Sequence, residues 1–178
     1  MQLNEAAQSL NQYLTFVLAE EEYAISVLKV TEIMECVALT KVPGAPSWIR
    51  GVLNLRGAVV PVVDLAVKFG MARSEVTRRS CVIIVELQFD DERLVMGVMA
   101  DSVDQVIELA PHQIQPAPSF GPRVRVDCIL GMGTNNDKFV CLLDIDRILS
   151  SNEILVVSTA GDDDEAGEIE VLAEVAVG

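Results

Sequence analysis

Short apolar runs separated by turn-forming residues dominate this chain of 178 residues. The runs are about four to eight residues long and rich in Val, Ile and Leu, a pattern typical of β-strands. Acidic segments, such as 20–22 and 90–92, and a segment rich in proline and glycine at 43–46 lie between them. We therefore predict an all-β fold with a few short helices.

The individual elements follow from the same pattern. Apolar runs predict strands at 13–18, 23–26, 36–42, 52–55, 58–63, 81–87, 93–100, 103–108, 129–134 and 139–143. Helical spacing of apolar residues predicts short helices at 27–33, with Ser26 as N-cap, and at 144–149. Pro61 cannot donate a hydrogen bond to a neighbouring strand, so we expect its strand to be bulged or to lie at a sheet edge.

The two halves of the chain repeat one pattern. A turn, an apolar strand, an aspartate and a short helical piece occur in 55–65 and again in 136–145, which places Asp64 and Asp144 80 residues apart. Each half also opens with a hairpin that has an acidic turn. We predict two small barrels of about five strands each, at roughly 12–70 and 80–150, and a core shared between them.

Composition and charge exclude several classes of protein. Apolar residues make up 51% of the chain, but no apolar run approaches the roughly 20 residues of a membrane-spanning helix. The first residues lack the basic and apolar regions of a signal peptide, so we expect a cytoplasmic protein. A net charge of −14 disfavours nucleic acid and anionic membrane surfaces as partners.

Acidic residues concentrate at the C-terminus. Residues 151–178 contain eight acidic side chains and neither Lys nor Arg. We predict a flexible acidic tail that keeps the chain in solution, and a role in tuning partner binding stays open.

Residues suited to catalysis or metal binding are few. The chain has four cysteines, Cys36, Cys81, Cys128 and Cys141. No two of them form a C-x-x-C pair. The chain has a single histidine, His112, which we read as a surface-loop residue, and we read Cys81 and Cys141 as small core residues. Asp64 and Asp144 each precede a helical piece, where a carboxylate serves as an N-cap. No catalytic set, cofactor or metal site is predicted.

The segment 48–65 carries the most specific pattern in the sequence. It reads WIRGVLNLRG at 48–57 and VPVVDL at 60–65. Further motifs are YAI at 23–25, VTEI at 30–33, GV at 97–98, DSV at 101–103, IQPAP at 114–118 and ILGMG at 129–133. Together these motifs closely resemble the CheW family, the coupling proteins of bacterial chemotaxis. The resemblance extends over residues 12–150, as one CheW-like domain.

The resemblance implies both a fold and a function. The family fold is two five-stranded SH3-like β-barrels that share a hydrophobic core, which agrees with the repeat. The family has no enzymatic activity. It bridges the cytoplasmic tip of chemoreceptors and the regulatory domain of the histidine kinase CheA, and supports kinase activation in membrane-associated arrays. The resemblance does not indicate which barrel binds the kinase.

The resemblance also implies a receptor site, a hydrophobic groove between the barrels in which a helical receptor tip docks. The candidate groove residues are Val30, Ile33, Leu53, Val98 and Met99. Each of them could instead be an ordinary core residue. Glu32 and Arg56 are expected to form a surface ion pair beside this groove. Gly51 and Gly57 are expected to meet a backbone requirement first and to contact a partner second.

The sequence also bears on three alternative functions. A CheW-like coupler could serve a pilus or gliding-motility system instead of flagellar chemotaxis, and the residues do not separate the two. A hydrolase on a β-barrel scaffold lacks a nucleophile–base pair in this sequence. A coupler fused to a receiver domain needs about 120 further residues, for which the chain has no room.

Overall fold

The computed structural model describes residues 11–73, 75–89, 91–117 and 128–149. The strands in these residues are β1 Gln12–Leu18, β2 Glu21–Ser26, β3 Val30–Glu35, β4 Ile49–Leu55, β5 Ala58–Asp64, β6 Cys81–Phe89, β7 Glu92–Ala100, β8 Ser102–Glu108, β9 Ile114–Gln115, β10 Ile129–Asn135 and β11 Lys138–Leu143. Two short α-helices, α1 Leu65–Lys68 and α2 Ile145–Leu149, follow β5 and β11. Single 3-10 turns occupy Val27–Lys29 and Pro111–Gln113. The predicted acidic tail lies outside the described residues.

The predicted helix at 27–33 is wrong. Only Val27–Lys29 is helical, as one 3-10 turn in which the Ser26 hydroxyl accepts a hydrogen bond from the Leu28 N–H at 3.3 Å. Val30–Glu35 is strand β3, in which half-buried and exposed residues alternate. The β-branched side chains in this segment favour a pleated strand, and antiparallel pairing with β6 completes it.

Two further expectations differ from the structure. The segment 36–42 is not a strand, and only Thr40 forms a bridge, to Val52, with reciprocal N–H···O distances of 2.9 and 2.8 Å. Of the two alternatives for the strand with Pro61, the edge position is wrong, because β5 lies between β4 and β7, whereas its pairing with β4 does have a register shift, at Ile49/Gly51. The missing N–H is tolerated because pairing with β7 begins only at Val62.

The strands form two sheets whose membership differs from the predicted limits of 12–70 and 80–150. The five-stranded sheet has the order β3-β6-β7-β5-β4 and comes from one continuous stretch of chain. The six-stranded sheet has the order β8-β1-β2-β11-β10-β9 and comes from the chain before and after that stretch. The β1–β2 hairpin therefore pairs with β8 and β11, strands that lie far later in the chain, and this long-range pairing intertwines the two barrels.

A shared hydrophobic core joins the sheets, as predicted. Along β6 and β7, alternate side chains point to opposite faces, so Ile83 and Val98 join the core between the sheets. Val82 and Met99 instead join a separate cluster enclosed by the five-stranded sheet. Both faces of these strands are buried, which explains their continuous apolar sequences. The predicted class, an all-β fold of two SH3-like barrels with a shared core, is confirmed.

The internal repeat is visible in the backbone. Between β4 and β5 the register shifts at Ile49/Gly51, and between β10 and β11 it shifts at Ile129/Gly131, 80 residues on. Both glycines have positive φ, and a Cβ at Gly51 would lie 2.5 Å from the Thr40 carbonyl oxygen. The repeat therefore includes a bulge in which another backbone segment approaches too closely for a side chain.

Candidate partner-docking surface

The predicted ion pair between Glu32 and Arg56 is present at one end of the five-stranded sheet. Glu32 lies on the edge strand β3, and Arg56 lies in the β4–β5 turn, beside the opposite edge. Arg56 and Gly57 both have positive φ, and the Asn54 carboxamide oxygen accepts the Gly57 N–H at 2.8 Å. The turn therefore holds Arg56 against Glu32 across the closing edges of the barrel.

The exposure of this pair suits it to binding more than to stability. The Arg56 side chain is 74% exposed and the Glu32 side chain is 31% exposed. An ion pair in water contributes about 0–1 kcal/mol to folding, because solvent screens it and long side chains lose entropy. The guanidinium therefore remains accessible to a partner's acidic or carbonyl groups.

The predicted groove residues separate into two groups. Ile33 is 44% exposed on the outer face of β3, and Val30 is half-buried beside it. The other three residues are buried and belong to the two core clusters: Leu53, Val98 and Met99. The structure thus joins Glu32 to Arg56 in an ion pair, while Val30 and Ile33 lie on the same strand as Glu32, with Val30 packed against the shared core.

A buried ion pair that sequence reasoning missed lies beneath the same sheet. Arg50 Nη1 lies 3.2 Å from Asp64 Oδ2, and the two side chains are 9% and 0% exposed. Asp64 also accepts hydrogen bonds from the Ala66 and Val67 N–H groups, which confirms it as the N-cap of α1. The signal that could have revealed the pair is an arginine in the apolar run after Trp48, 14 residues before a buried capping aspartate.

The equivalent aspartate of the other barrel has a different environment. Asp144 accepts a hydrogen bond from the Arg147 N–H at 3.2 Å, which confirms it as the cap of α2. Its ion pair with the Arg147 side chain lies at the surface, and Leu130 occupies the position that corresponds to Arg50. The two aspartates are separate caps and do not form a carboxylate pair.

The candidate catalytic and metal-binding residues do not assemble into a site among the described residues. His112 is exposed, as predicted, in the 3-10 turn before β9. No cluster of His, Cys, Asp or Glu in the described ranges has the arrangement of a metal site. Burial raises the pKa of the Cys141 thiol to about 11 and also raises the pKa of Cys36, so both thiols stay protonated at neutral pH.

Two cysteine predictions need correction in detail. Cys81 and Cys141 are half-buried and are not fully enclosed core residues, although Cys141 packs against the shared core from β11. Cys128, which had no assigned place, is the buried cysteine and packs in the shared core.

None of the helices described in the chain combines the length and apolar character of a membrane span.

Comparison with known proteins agrees with this architecture. Residues 12–153 match the family described as CheW-like domain. The chemotaxis protein CheW of Klebsiella aerogenes is 37% identical over 146 residues, which cover 82% of this chain and 86% of that protein. The chemotaxis protein CheW of Helicobacter pylori is 29% identical over 148 residues, which cover 83% and 87%.

A solved structure has the same fold. The scaffolding protein TtCheW from Thermoanaerobacter tengcongensis superposes with a TM-score of 0.70 at 29% identity, covering 80% of this chain and 90% of that one. The relatives are described as chemotaxis proteins, which supports chemotaxis over the alternative of another motility system. The family match covers most of the sequence, so the chain belongs to the CheW family of chemotaxis coupling and scaffold proteins.

Proposed function

We propose that this protein is a non-enzymatic adaptor that binds a chemoreceptor cytoplasmic tip and the regulatory domain of a CheA-type kinase. Membership of the CheW family supports this proposal, and the exposed surface around the Glu32–Arg56 pair is the observation that carries it. The adaptor would work in the cytoplasm and be recruited to membrane-associated receptor arrays. No cofactor takes part in the proposed activity.

The receptor site is proposed at the outer surface of β3 and the adjacent β4–β5 turn. Ile33 offers exposed apolar area, and Val30 lies beside it at the edge of the shared core. An amphipathic helix of the receptor tip would cover these two side chains with its apolar face. Glu32 and Arg56 would then bond to polar groups at the rim of the helix and set its register.

The remaining candidate residues are assigned supporting roles. Leu53, Val98 and Met99 lie beneath the surface, so they would shape it through packing and would not contact the receptor directly. Gly57 has a φ of 89°, and no atom lies within 4 Å of the place where its Cβ would be. This glycine would permit the tight turn that presents Arg56.

The test is reconstitution with a receptor cytoplasmic fragment and a CheA-type kinase, followed by co-sedimentation and a kinase assay. Arg56→Ala is expected to weaken receptor binding about tenfold, or about 1.4 kcal/mol, while the unfolding midpoint stays within error. Arg93→Ala is the matched control, because Arg93 forms a similarly exposed pair with Glu86 on β6. Full receptor affinity in Arg56→Ala, or equal losses in both variants, would refute the site.

Kinase coupling needs a separate readout. The wild-type chain is expected to raise kinase activity only when receptor is present, because activation requires both partners in one complex. The Arg56→Ala variant should still bind the isolated kinase regulatory domain with unchanged affinity if the two partners use different surfaces. Binding of neither partner by the wild-type chain would contradict the adaptor function itself.

A further inference from the structure

A cleft outside the proposed receptor site opens at the side of the five-stranded sheet. Its volume is about 250 Å³, and it lies between the β3–β4 connection and the loop that leads to β6. Val37 and Val76 line it and are 46% and 56% exposed, while Met99 contributes a buried side chain. The cleft therefore offers an apolar interior that is open to a ligand.

Basic side chains surround this cleft. Lys41 and Arg73 line it directly, together with Arg50. Arg78 and Arg79 lie in the loop that borders it, which is held to the β3–β4 connection by the Cys36 N–H···O Ser80 bond of 3.2 Å. The four residues Lys41, Arg73, Arg78 and Arg79 are exposed and form no ion pair with any residue in the described ranges. In a chain with a net charge of −14, this edge is locally cationic.

The C-terminal segment of the same chain has the complementary chemistry. Residues 151–178 contain eight acidic side chains and no basic one, and the stretch 168–177 interleaves glutamates with Ile, Val and Leu. Acidic side chains suit the cationic rim, and the aliphatic side chains suit the exposed valines.

The segment is also long enough to reach the cleft. Asp162, the first residue of the acidic run, lies thirteen positions beyond Leu149, the end of α2. An extended chain of that length spans about 43 Å, whereas a domain of this size is about 36 Å across. The covalent tether gives a local concentration of about millimolar, so even weak contacts would be populated.

We propose that the acidic C-terminal segment binds the cation-rimmed cleft of its own molecule. The contact combines exposed charges with shallow apolar burial, so it is weak and salt-sensitive. The segment covers the cleft in the isolated protein and is displaced by any acidic peptide that binds the cleft with higher affinity. The segment thereby shields an apolar, basic surface that the rest of this acidic chain leaves open.

Zero-length carbodiimide cross-linking of the full chain tests the contact. The reagent joins a lysine amine to a carboxylate in direct contact, and the chain offers two exposed lysines for comparison, Lys41 at the cleft and Lys138 at the start of β11. Trypsin releases everything after Arg147 as one peptide, so mass spectrometry counts the products that link each lysine to the acidic segment. Mixing ¹⁴N-labelled and ¹⁵N-labelled protein separates links within a chain from links between chains.

The expected result is a several-fold excess of the Lys41 product over the Lys138 product, within single chains. Raising the salt to about 1 M, where the Debye length is about 3 Å, should remove that excess. Equal yields at both lysines at low salt would overturn the proposal. A product that forms mainly between isotopically different chains would also overturn it and would make a second copy the occupant.

Charge reversal provides an independent variant test. Arg73→Glu combined with Arg78→Glu retains Lys41 as the reactive amine, so a lower Lys41 yield reports lost docking. Arg93→Glu is the control, because Arg93 is also exposed but lies on β7, away from the cleft lining. Circular dichroism confirms that both proteins are folded. The same yield in the double variant as in the wild type would contradict the proposed contact.

Discussion

The two capping aspartates offer a test of how much the buried ion pair contributes to stability. Asp64 and Asp144 occupy equivalent positions in the two barrels, and each caps a short helix. Only Asp64 is fully buried against an arginine, with Arg50 Nη1 at 3.2 Å. Replacing each aspartate with alanine therefore removes a helix cap in both variants. Only Asp64→Ala also removes the carboxylate that neutralises a buried arginine.

The expected magnitudes follow from the geometry. Loss of an N-cap costs about 1 kcal/mol, and this term applies to both variants. Asp64→Ala also leaves the Arg50 side chain, which is 9% exposed, as a buried charge without its carboxylate, at a cost of about 3 kcal/mol. The Arg147 side chain beside Asp144 is 65% exposed, so its pair adds close to nothing. We expect losses of about 4 and about 1 kcal/mol.

Urea unfolding at neutral pH measures the difference. Trp48, the single tryptophan, is 9% exposed, and its carbonyl oxygen accepts the Asp64 N–H, so its fluorescence reports on this junction directly. With an m value of about 2 kcal/mol/M, Asp64→Ala should lower the midpoint by about 2 M and Asp144→Ala by about 0.5 M. Circular dichroism gives the same midpoints if unfolding is two-state.

Two additional variants separate the cap from the charge. Asp64→Asn keeps an oxygen that can cap α1 but removes the carboxylate charge, so it should lose about 3 kcal/mol. Combining it with Arg50→Leu, the residue type found at the equivalent position 130, should recover part of that loss because the buried guanidinium charge is removed together with the carboxylate. Equal destabilisation by Asp64→Ala and Asp144→Ala would refute the reasoning.

Other predictions concern backbone and thiol chemistry. Gly51→Ala should lower the free energy of unfolding by about 3 kcal/mol, because its Cβ would lie 2.5 Å from the Thr40 carbonyl oxygen. In Gly57→Ala the added Cβ meets open space, so this variant should lose only about 1 kcal/mol, from the positive φ of the residue. Equal losses of the two variants in urea melts would contradict this prediction. Burial raises the pKa of the Cys141 thiol from 9.0 to about 11. Below pH 9 its contribution to stability is fully present, and it is lost as the pH rises towards 11, because the unfolded thiol ionises first. Site-resolved alkylation at pH 9 should therefore modify Cys141 more slowly in the folded chain than in urea, and equal rates would refute the shift.

The candidate site was predicted in part from the sequence. The Glu32–Arg56 pair was expected from the family resemblance, and the structure places both residues at one surface. The burial of Leu53, Val98 and Met99 could not be predicted, because an apolar residue in a strand looks the same whether it faces a groove or a core. Arg50 and Asp64 lie on the two strands of the predicted β4–β5 hairpin, so only the burial of their ion pair depends on the folded barrel.

Local chemistry is what the sequence by itself determined about this protein. Turn residues, apolar runs and capping aspartates specified the hairpins β4–β5, β6–β7 and β10–β11, both α-helices and the internal repeat. These features depend on interactions between residues close together in the chain, so short-range patterns suffice to predict them.

Only the tertiary structure decided which strands share a sheet and which side chains stay exposed. The β1–β2 hairpin pairs with β8 and β11, far along the chain, and β3 is a strand because β6 lies beside it. Strands buried on both faces lose the alternation that would identify their inner and outer sides. The exposed surface at Ile33 and Arg56 therefore exists only once long-range pairing has buried the other apolar residues.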